Sequence, residues 1–435
     1  MNKKQVQEYF SKSEVHYCQV AVCDLDGLLR GKLMHRDKVL KAMDDPFGFC
    51  EVIFGWDVQD SLYESNQGSG WDRGFPDVKA NIDPSSFRVL PWRDGMPMLL
   101  ADFSGSNVEI CPRGLLRKVV SDVKTAGFSA RMAMEWEWFN FRKDQPEVPL
   151  STGMFGYSVL RAGQFHEFWN DLFSRLEEAG VPLEGLHTET GPGAMEAAIQ
   201  HAAPLDAADR ASLFKLFVKE LAIKHGIQAS FMAKPKAELP GCSGHLHQSL
   251  WMKEQNCFST EDGSLAKLQE YYLAGVLLTL PDLMPMYAPT INSYKRFASR
   301  TWAPTSVSWG VENRTTACRL IGTEEESRIE FRVPGADANP YLAMAASLAS
   351  GLYGIKHKLD LELPETTGNA YEDQKLKNLP QTLNEATQKM KNSTIATELF
   401  GEAFVQHFVM TREWEVAQYE KAVTDWEISR YFEGI

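Results

Sequence analysis

The residues with most chemical promise alternate along three strand-like segments. In Arg131–Phe141, Glu135 and Glu137 stand two apart, so an extended backbone turns both carboxylates to one face. Met132, Met134, Trp136 and Trp138 fall on the other face, which reads as a core face. In Cys242–Trp251, His245, His247 and Ser249 share a face; in Ser327–Val333, Arg328, Glu330 and Arg332 do, opposite Ile329, Phe331 and Val333. The segment His187-Thr-Glu189-Thr-Gly-Pro-Gly-Ala-Met-Glu196 adds two carboxylates around a turn, and Asn313–Arg319 adds Arg314 and Arg319. For any one segment, a solvated polar sheet face explains the pattern as well as a site does. Several together do not fit that reading, because like charges packed on one strand repel and need a counter-ion. Five carboxylates and one imidazole (Glu135, Glu137, Glu189, Glu196, Glu330, His245) suit hard divalent cations such as Mg²⁺ or Mn²⁺, with ligands enough for two. Arg296, Arg314, Arg319, Arg328 and Arg332 suit phosphates and carboxylates, which guanidinium groups bind in bidentate fashion. Cations with arginines point to phosphoryl chemistry. The residues alone leave a two-metal hydrolase and an ATP-dependent ligase both open.

A chain of 435 residues, 44% hydrophobic and 24% charged, can bury a large core in two or three domains. Short strand-like runs at Cys18–Val22, Phe87–Leu90 and Met98–Ala101 precede a boundary near residue 108. Beyond it, Pro112 opens a helix that Gly127 stops. Gln164–Glu178, Asp209–His225 and Tyr341–Ile355 also read as helices. The mixture predicts an α+β fold. A net charge of −13 argues against nucleic acid as a partner. No apolar leader is evident at the start, and the most apolar stretch, Tyr271–Ile291, carries Pro281, Asp282, Pro285 and Pro289, which argues against a membrane span. The seven cysteines make no Cys-x-x-Cys pair and fit a reducing compartment. A cytoplasmic protein is expected.

Six motifs together resemble the glutamine synthetase superfamily, class I type: Met-Glu135-Trp-Glu137-Trp, His187–Glu196, Ser-Gly-His245-Leu-His247-Gln-Ser249, Asn292-Ser-Tyr-Lys-Arg296, Asn313–Arg319, and Arg328-Ile-Glu330-Phe-Arg332 with Ala338-Asn-Pro-Tyr. The resemblance spans nearly the whole chain and is weakest over residues 1–110. It implies a β-grasp domain (1–108) followed by a catalytic domain (109–435) built on a curved antiparallel sheet flanked by helices. It also implies ATP-dependent phosphorylation of the glutamate γ-carboxylate, followed by attack of a nitrogen nucleophile. Carried over by position, Glu137, Glu189 and Glu196 would hold one cation, and Glu135, His245 and Glu330 the other; two or three ions per site are implied. His247, Ser249, Arg319 and Arg328 would face the nucleotide. Arg296 would clamp the glutamate α-carboxylate, and Gly241 would meet its amino group. Arg314, Arg319 and Arg332 would hold the transferring phosphoryl and γ-carboxyl groups, with Glu189 near the nucleophile. The family implies a double ring of hexamers with sites between subunits.

The departures from the family pattern point to the nucleophile. The family's flap glutamate, six residues after the clamp arginine, is Trp302 here. Aligned on Gly55-Trp56, Phe49 falls where the family has an aspartate; Tyr157 matches the family's pocket tyrosine. The usual Asn-Gly-Ser-Gly-Met loop reads Pro240-Gly241-Cys-Ser-Gly, and the adenylylated tyrosine of some bacterial members falls near Lys377. Two carboxylates suited to ammonium have become aromatic rings. The reading is therefore a γ-glutamylamine synthetase joining glutamate to a primary amine. Its rivals are an ammonia-using glutamine synthetase and a catalytically silent structural paralogue.

Overall fold

Alternating burial along strand-forming sequence builds two sheets, described in a computed structural model for residues 1–63, 71, 74–105, 109–260, 264–298 and 301–435. The boundary expected at residue 108 lies outside the described residues. The first sheet holds β1 (Tyr17–Cys23), β2 (Leu29–His35), β3 (Phe47–Cys50), β4 (Asp77–Leu90) and β5 (Met96–Phe103) in the order β2-β1-β5-β4-β3. β1 and β5 pair in parallel at its centre; their neighbours are antiparallel. A hairpin, the helix Arg36–Ala42 and then the antiparallel β3, β4 and β5 give the expected β-grasp order.

The second sheet holds β6 (Ser129–Arg142), β7 (Gln145–Pro149), β8 (Leu183–Thr188), β9 (Ala194–Ile199), β10 (Ile227–Ser230), β11 (Gly244–Met252), β12 (Gln255–Asn256), β13 (Trp309–Val311), β14 (Cys318–Ile321) and β15 (Arg328–Phe331). Its main path runs β13-β14-β15-β11-β6-β9-β8, with β7 and β10 also on β6 and β12 on β11. Only the described pair β13/β14 is parallel. Along β6 burial alternates as the side-chain period requires. Met132, Met134, Trp136 and Trp138 are buried. They pack on the helix Pro204–Lys224, where Trp136 Nε1 donates to Ala211 O at 3.2 Å and the Trp138 and Phe214 ring centroids lie 5.6 Å apart. This is the helix-flanked α+β arrangement expected. The helix starts five residues before the expected Asp209, because Pro204 occupies its first turn.

The proline-bearing apolar stretch lies in the helix Lys267–Tyr287, with Pro281 and Pro285 inside it. Proline in a helix interior costs about 3 kcal/mol, so packing must offset it. Most of this helix is buried, and it lies so close to the helix Pro340–His357 that a Cβ on Gly275 would meet Ser350 O at 2.2 Å. Among the described residues no helix is long and apolar enough to cross a membrane.

Arg113, 1% exposed at its side chain, ties the two sheets together. Its Nε donates to Asp209 Oδ1, Nη1 to Asp102 Oδ1, and Nη2 to Asp83 Oδ2 and Asp209 Oδ2, each at 2.8 Å. Tyr341 OH donates to the same Asp209 at 2.8 Å. A second tie joins Arg412 Nη2 to Asp26 Oδ1 at 2.7 Å.

Candidate active site

Strand register turns the sequence pattern into one polar row across the large sheet. Glu135 on β6 stands opposite His245 on β11, and His247 opposite Glu330 on β15, which in turn faces Arg319 on β14. On the other side of β6, Glu137 faces Glu196 on β9, which faces His187 on β8. Directly opposed residues share a face, so six strands deliver these groups to one surface.

Two clusters result, each with ligand atoms within 4.8 Å of one another: Glu135, His245 and Glu330, and His187, Glu189 and Glu196. In the first, His245 Nδ1 lies 2.8 Å from Glu135 Oε1 and 3.4 Å from Glu330 Oε1. Burial works to raise the Glu135 carboxyl, but His245 and His247 outweigh it and hold it well below its usual range. Burial opposes Glu330 too, yet His245 and Arg332 bring it down to about 2. In the second cluster His187 Nε2 lies 2.9 Å from Glu196 Oε1. Burial, against the His187 hydrogen bond and with the charges of Glu135 and Glu137, pushes Glu196 up to about 7. Burial lowers His187, but the Glu196 carboxylate overrides it and lifts the imidazole to about 9. A carboxyl raised by neighbouring carboxylates is a place where added positive charge is favourable.

The first cluster matches the expected set. In the second, Glu189 and Glu196 are joined by His187, while Glu137, opposite Glu196 on the neighbouring strand, accepts from Ser243 N at 2.6 Å. His187 belongs to the same sequence motif as Glu189 and Glu196. Its position two residues before Glu189 was the available signal, since it puts both on one face.

The arginines divide. Arg319 Nη1 donates to Glu330 Oε2 at 3.0 Å and its other terminal nitrogen pairs with Glu312. Arg332 donates to Glu330 through Nη1 and to Trp302 O through Nη2 at 3.3 Å. Arg328 Nε lies 3.4 Å from His247 Nδ1. Arg314 faces the Tyr157 hydroxyl. Arg296, the expected clamp, is buried. It is 2% exposed and does not line the cavity. Its Nη1 donates to Val333 O at 2.8 Å, and Nη2 to Arg332 O and Ser243 Oγ at 3.0 Å each. Gly241 is required beside it: a Cβ there would meet Arg296 Cγ at 2.6 Å.

The clusters open into a cavity of about 790 Å³ that also takes in Arg314, Arg319, Arg328, Arg332, Gly241, Tyr157 and Trp302. Tyr157 stacks on His187 with centroids 4.4 Å apart. A second cavity of about 480 Å³ holds Ser249, Trp251 and Arg131, and shares Glu135, His247 and Arg328 with the first. Phe49 is brought to neither. It is 5% exposed and packs against Phe47 and Phe103 in the core of the small sheet.

A sheet of this order with two carboxylate–imidazole clusters and a ring of guanidinium groups defines a protein built to hold cations and polyanions. The family model for the glutamine synthetase catalytic domain matches residues 109–431. The chain is 45% identical over 447 residues to type-1 glutamine synthetase 2 of Dictyostelium discoideum, covering 97% of this chain and 85% of that protein. It is 35% identical over 456 residues to a glutamate–isopropylamine ligase of a Pseudomonas species, covering 100% and 99%. A solved GmaS/ADP complex superposes with a TM-score of 0.88 at 25% identity, covering 98% of this chain and 99% of that one. The chain belongs to the glutamine synthetase family.

Proposed function

We propose that the protein is an ATP-dependent glutamate–amine ligase. The observation that carries this reading is Trp302, which lines the cavity where the family pattern has a carboxylate. The similarity to an isopropylamine ligase over the full chain supports it. The name of the Dictyostelium relative favours the second reading, ammonia as nucleophile.

The donor sets fit divalent cations: each cluster offers two carboxylates and an imidazole, a predominance of oxygen that suits Mg²⁺ or Mn²⁺. Glu135, His245 and Glu330 would hold one, and Glu189 and Glu196 with Glu137 or His187 the other. Bound there, the ions would neutralise phosphate charge. The nucleotide fits the second cavity, where Ser249, His247 and Arg328 form the wall toward the clusters and Arg131 covers the Trp251 ring at 3.7 Å.

In the first step a glutamate γ-carboxylate oxygen bonds to the ATP γ-phosphorus and ADP leaves. In the second, the amine nitrogen bonds to the carbonyl carbon of the γ-glutamyl phosphate (glutamate Cδ), the bond from that carbon to phosphate breaks, and the nitrogen loses its proton. Arg314, Arg319 and Arg332 face the space where negative charge gathers and stabilise it there. Glu189 lines the same cavity and is the nearest assigned acceptor for the amine proton. Residues 1–108 and 109–435 are taken as the two functional units, working in a large ring-shaped homo-oligomer as the family resemblance implies.

The test is kcat/KM for ammonium against a panel of primary amines, with phosphate release as readout, for the parent and for Trp302→Glu. A preferred amine should exceed ammonium at least about tenfold, a difference of about 1.4 kcal/mol in transition-state binding. Trp302→Glu should narrow that gap. Ammonium as the best nucleophile of the parent protein would refute the reading.

A further inference from the structure

Three large side chains that line the cavity are also exposed to solvent: Met154 at 55%, Tyr157 at 62% and Trp302 at 60%. Scattered exposed apolar groups need no explanation, but a cluster at the mouth of one cavity marks a binding surface. Their backbones strengthen the point. Tyr157 (φ 55°) and Trp302 (φ 61°) both adopt the left-handed conformation, which bulky residues rarely take and which concentrates at ligand sites. Each is held in that state by the surroundings. Tyr157 N donates to Thr188 O at 2.7 Å, and its ring lies on His187. Trp302 O accepts from Arg332. The two aromatic rims are thus fastened to a cation-cluster imidazole and to a guanidinium of the phosphoryl site. That fastening sets them at the cavity that holds both clusters.

The charges around this mouth are mostly spoken for. Glu135 and Glu330 are paired with His245, Glu196 with His187, Glu137 with Ser243 N, and Glu189 Oε1 accepts from Thr190 N at 2.7 Å. Arg314 adds positive charge beside Tyr157. Glu238 is the one cavity carboxylate without a partner among the described residues, and it lies on the exposed rim.

We infer that Met154, with Tyr157 and Trp302, forms a platform for an uncharged apolar substituent, so that the preferred co-substrate is a monoamine with an aliphatic or aromatic group and not a diamine. This rests on the ligase reading and adds to it the class of amine and the role of Met154. Thioether and aromatic surfaces together adapt to apolar groups of varied shape.

The experiment measures glutamate-dependent kcat/KM for ammonium, methylamine, ethylamine, n-propylamine, n-butylamine, benzylamine and 1,4-diaminobutane. Parent, Met154→Ala, Met154→Thr and Glu238→Gln proteins are compared, with melting temperature as a folding control. Each added methylene should raise kcat/KM about two- to fourfold until the platform is filled. Both Met154 variants should flatten that rise, lowering kcat/KM for n-butylamine and benzylamine by a larger factor than for methylamine. n-Butylamine should exceed 1,4-diaminobutane, and Glu238→Gln should change neither. If amines beat ammonium but the series is flat, or if the diamine wins and Glu238→Gln removes its advantage, this inference falls while the ligase reading stands. If ammonium wins, the ligase reading falls first.

Discussion

Replacing Arg296 by methionine separates two roles for the most buried arginine of the site. The substitution keeps most of the side chain's length and removes its charge and donors. It leaves Val333 O, Arg332 O and Ser243 Oγ without the hydrogen bonds they now accept. Each buried group so orphaned costs about 1–3 kcal/mol. It also removes the positive charge that opposes the burial-driven rise of the Glu137 carboxyl. These costs are not additive, because Glu137 can take a proton and the wall can relax, so about 3–5 kcal/mol in all is expected. At roughly 2–4 °C per kcal/mol for a mid-sized domain, the melting temperature should fall on the order of 10 °C. Thermal unfolding by circular dichroism at neutral pH reads this, beside initial rates against glutamate and ATP. Arg296→Lys keeps the charge but loses the planar fork, so it should recover only part of the melting temperature. An Arg296→Met protein that melts within about 2 °C of the parent, with a raised KM for glutamate alone, would refute the buried-strut reasoning and make this arginine the acid clamp.

Activity should require Mg²⁺ or Mn²⁺ and vanish in excess chelator. Glu330→Ala should lower kcat at least about a hundredfold and abolish Mn²⁺ binding at that cluster by calorimetry; an unchanged Mn²⁺ isotherm would remove Glu330 from the cation site. A separate prediction concerns acid stability. Burial opposes the Asp83 carboxyl, but Arg113, Ser85 and Arg117 hold it well below its usual value. Its stabilising contribution is therefore full above the unfolded-state pKa of about 4 and lost as pH falls below it. Asp83→Asn should be less stable than the parent at pH 7 and show a shallower loss of stability between about pH 4 and 3; parallel curves for the two proteins would exclude Asp83 from the acid response.

The strand faces were legible because a period of two is a local property. Glu135 with Glu137, His245 with His247, and Glu330 with its arginines could be sorted to one side without knowing the sheet order. Which carboxylate meets which imidazole could not, since that depends on register between strands far apart in sequence. Register sets both Glu137 and His187 opposite Glu196, from the two neighbouring strands, and Glu137 also accepts from Ser243 N. Arg296 and Phe49 were placed by motif alignment, which carries position along the chain but not the depth of a side chain. Both are buried. Pro281 and Pro285 concealed the extent of the helix Lys267–Tyr287, because its stability comes from a neighbour that no local pattern reveals.

The Arg113 junction limits how this molecule can open. One guanidinium gives four hydrogen bonds to aspartates from β4, β5 and the helix Pro204–Lys224, and Tyr341 braces one of them. Charge-assisted bonds at 2.8 Å have narrow angular tolerance, so a swing of the small sheet against the large one would break several at once. The exposed rim of the cavity is formed instead by short surface segments, those bearing Met154, Tyr157 and Trp302. The rigid frame thus holds the two clusters, while the three residues of the proposed amine platform sit on segments outside that junction.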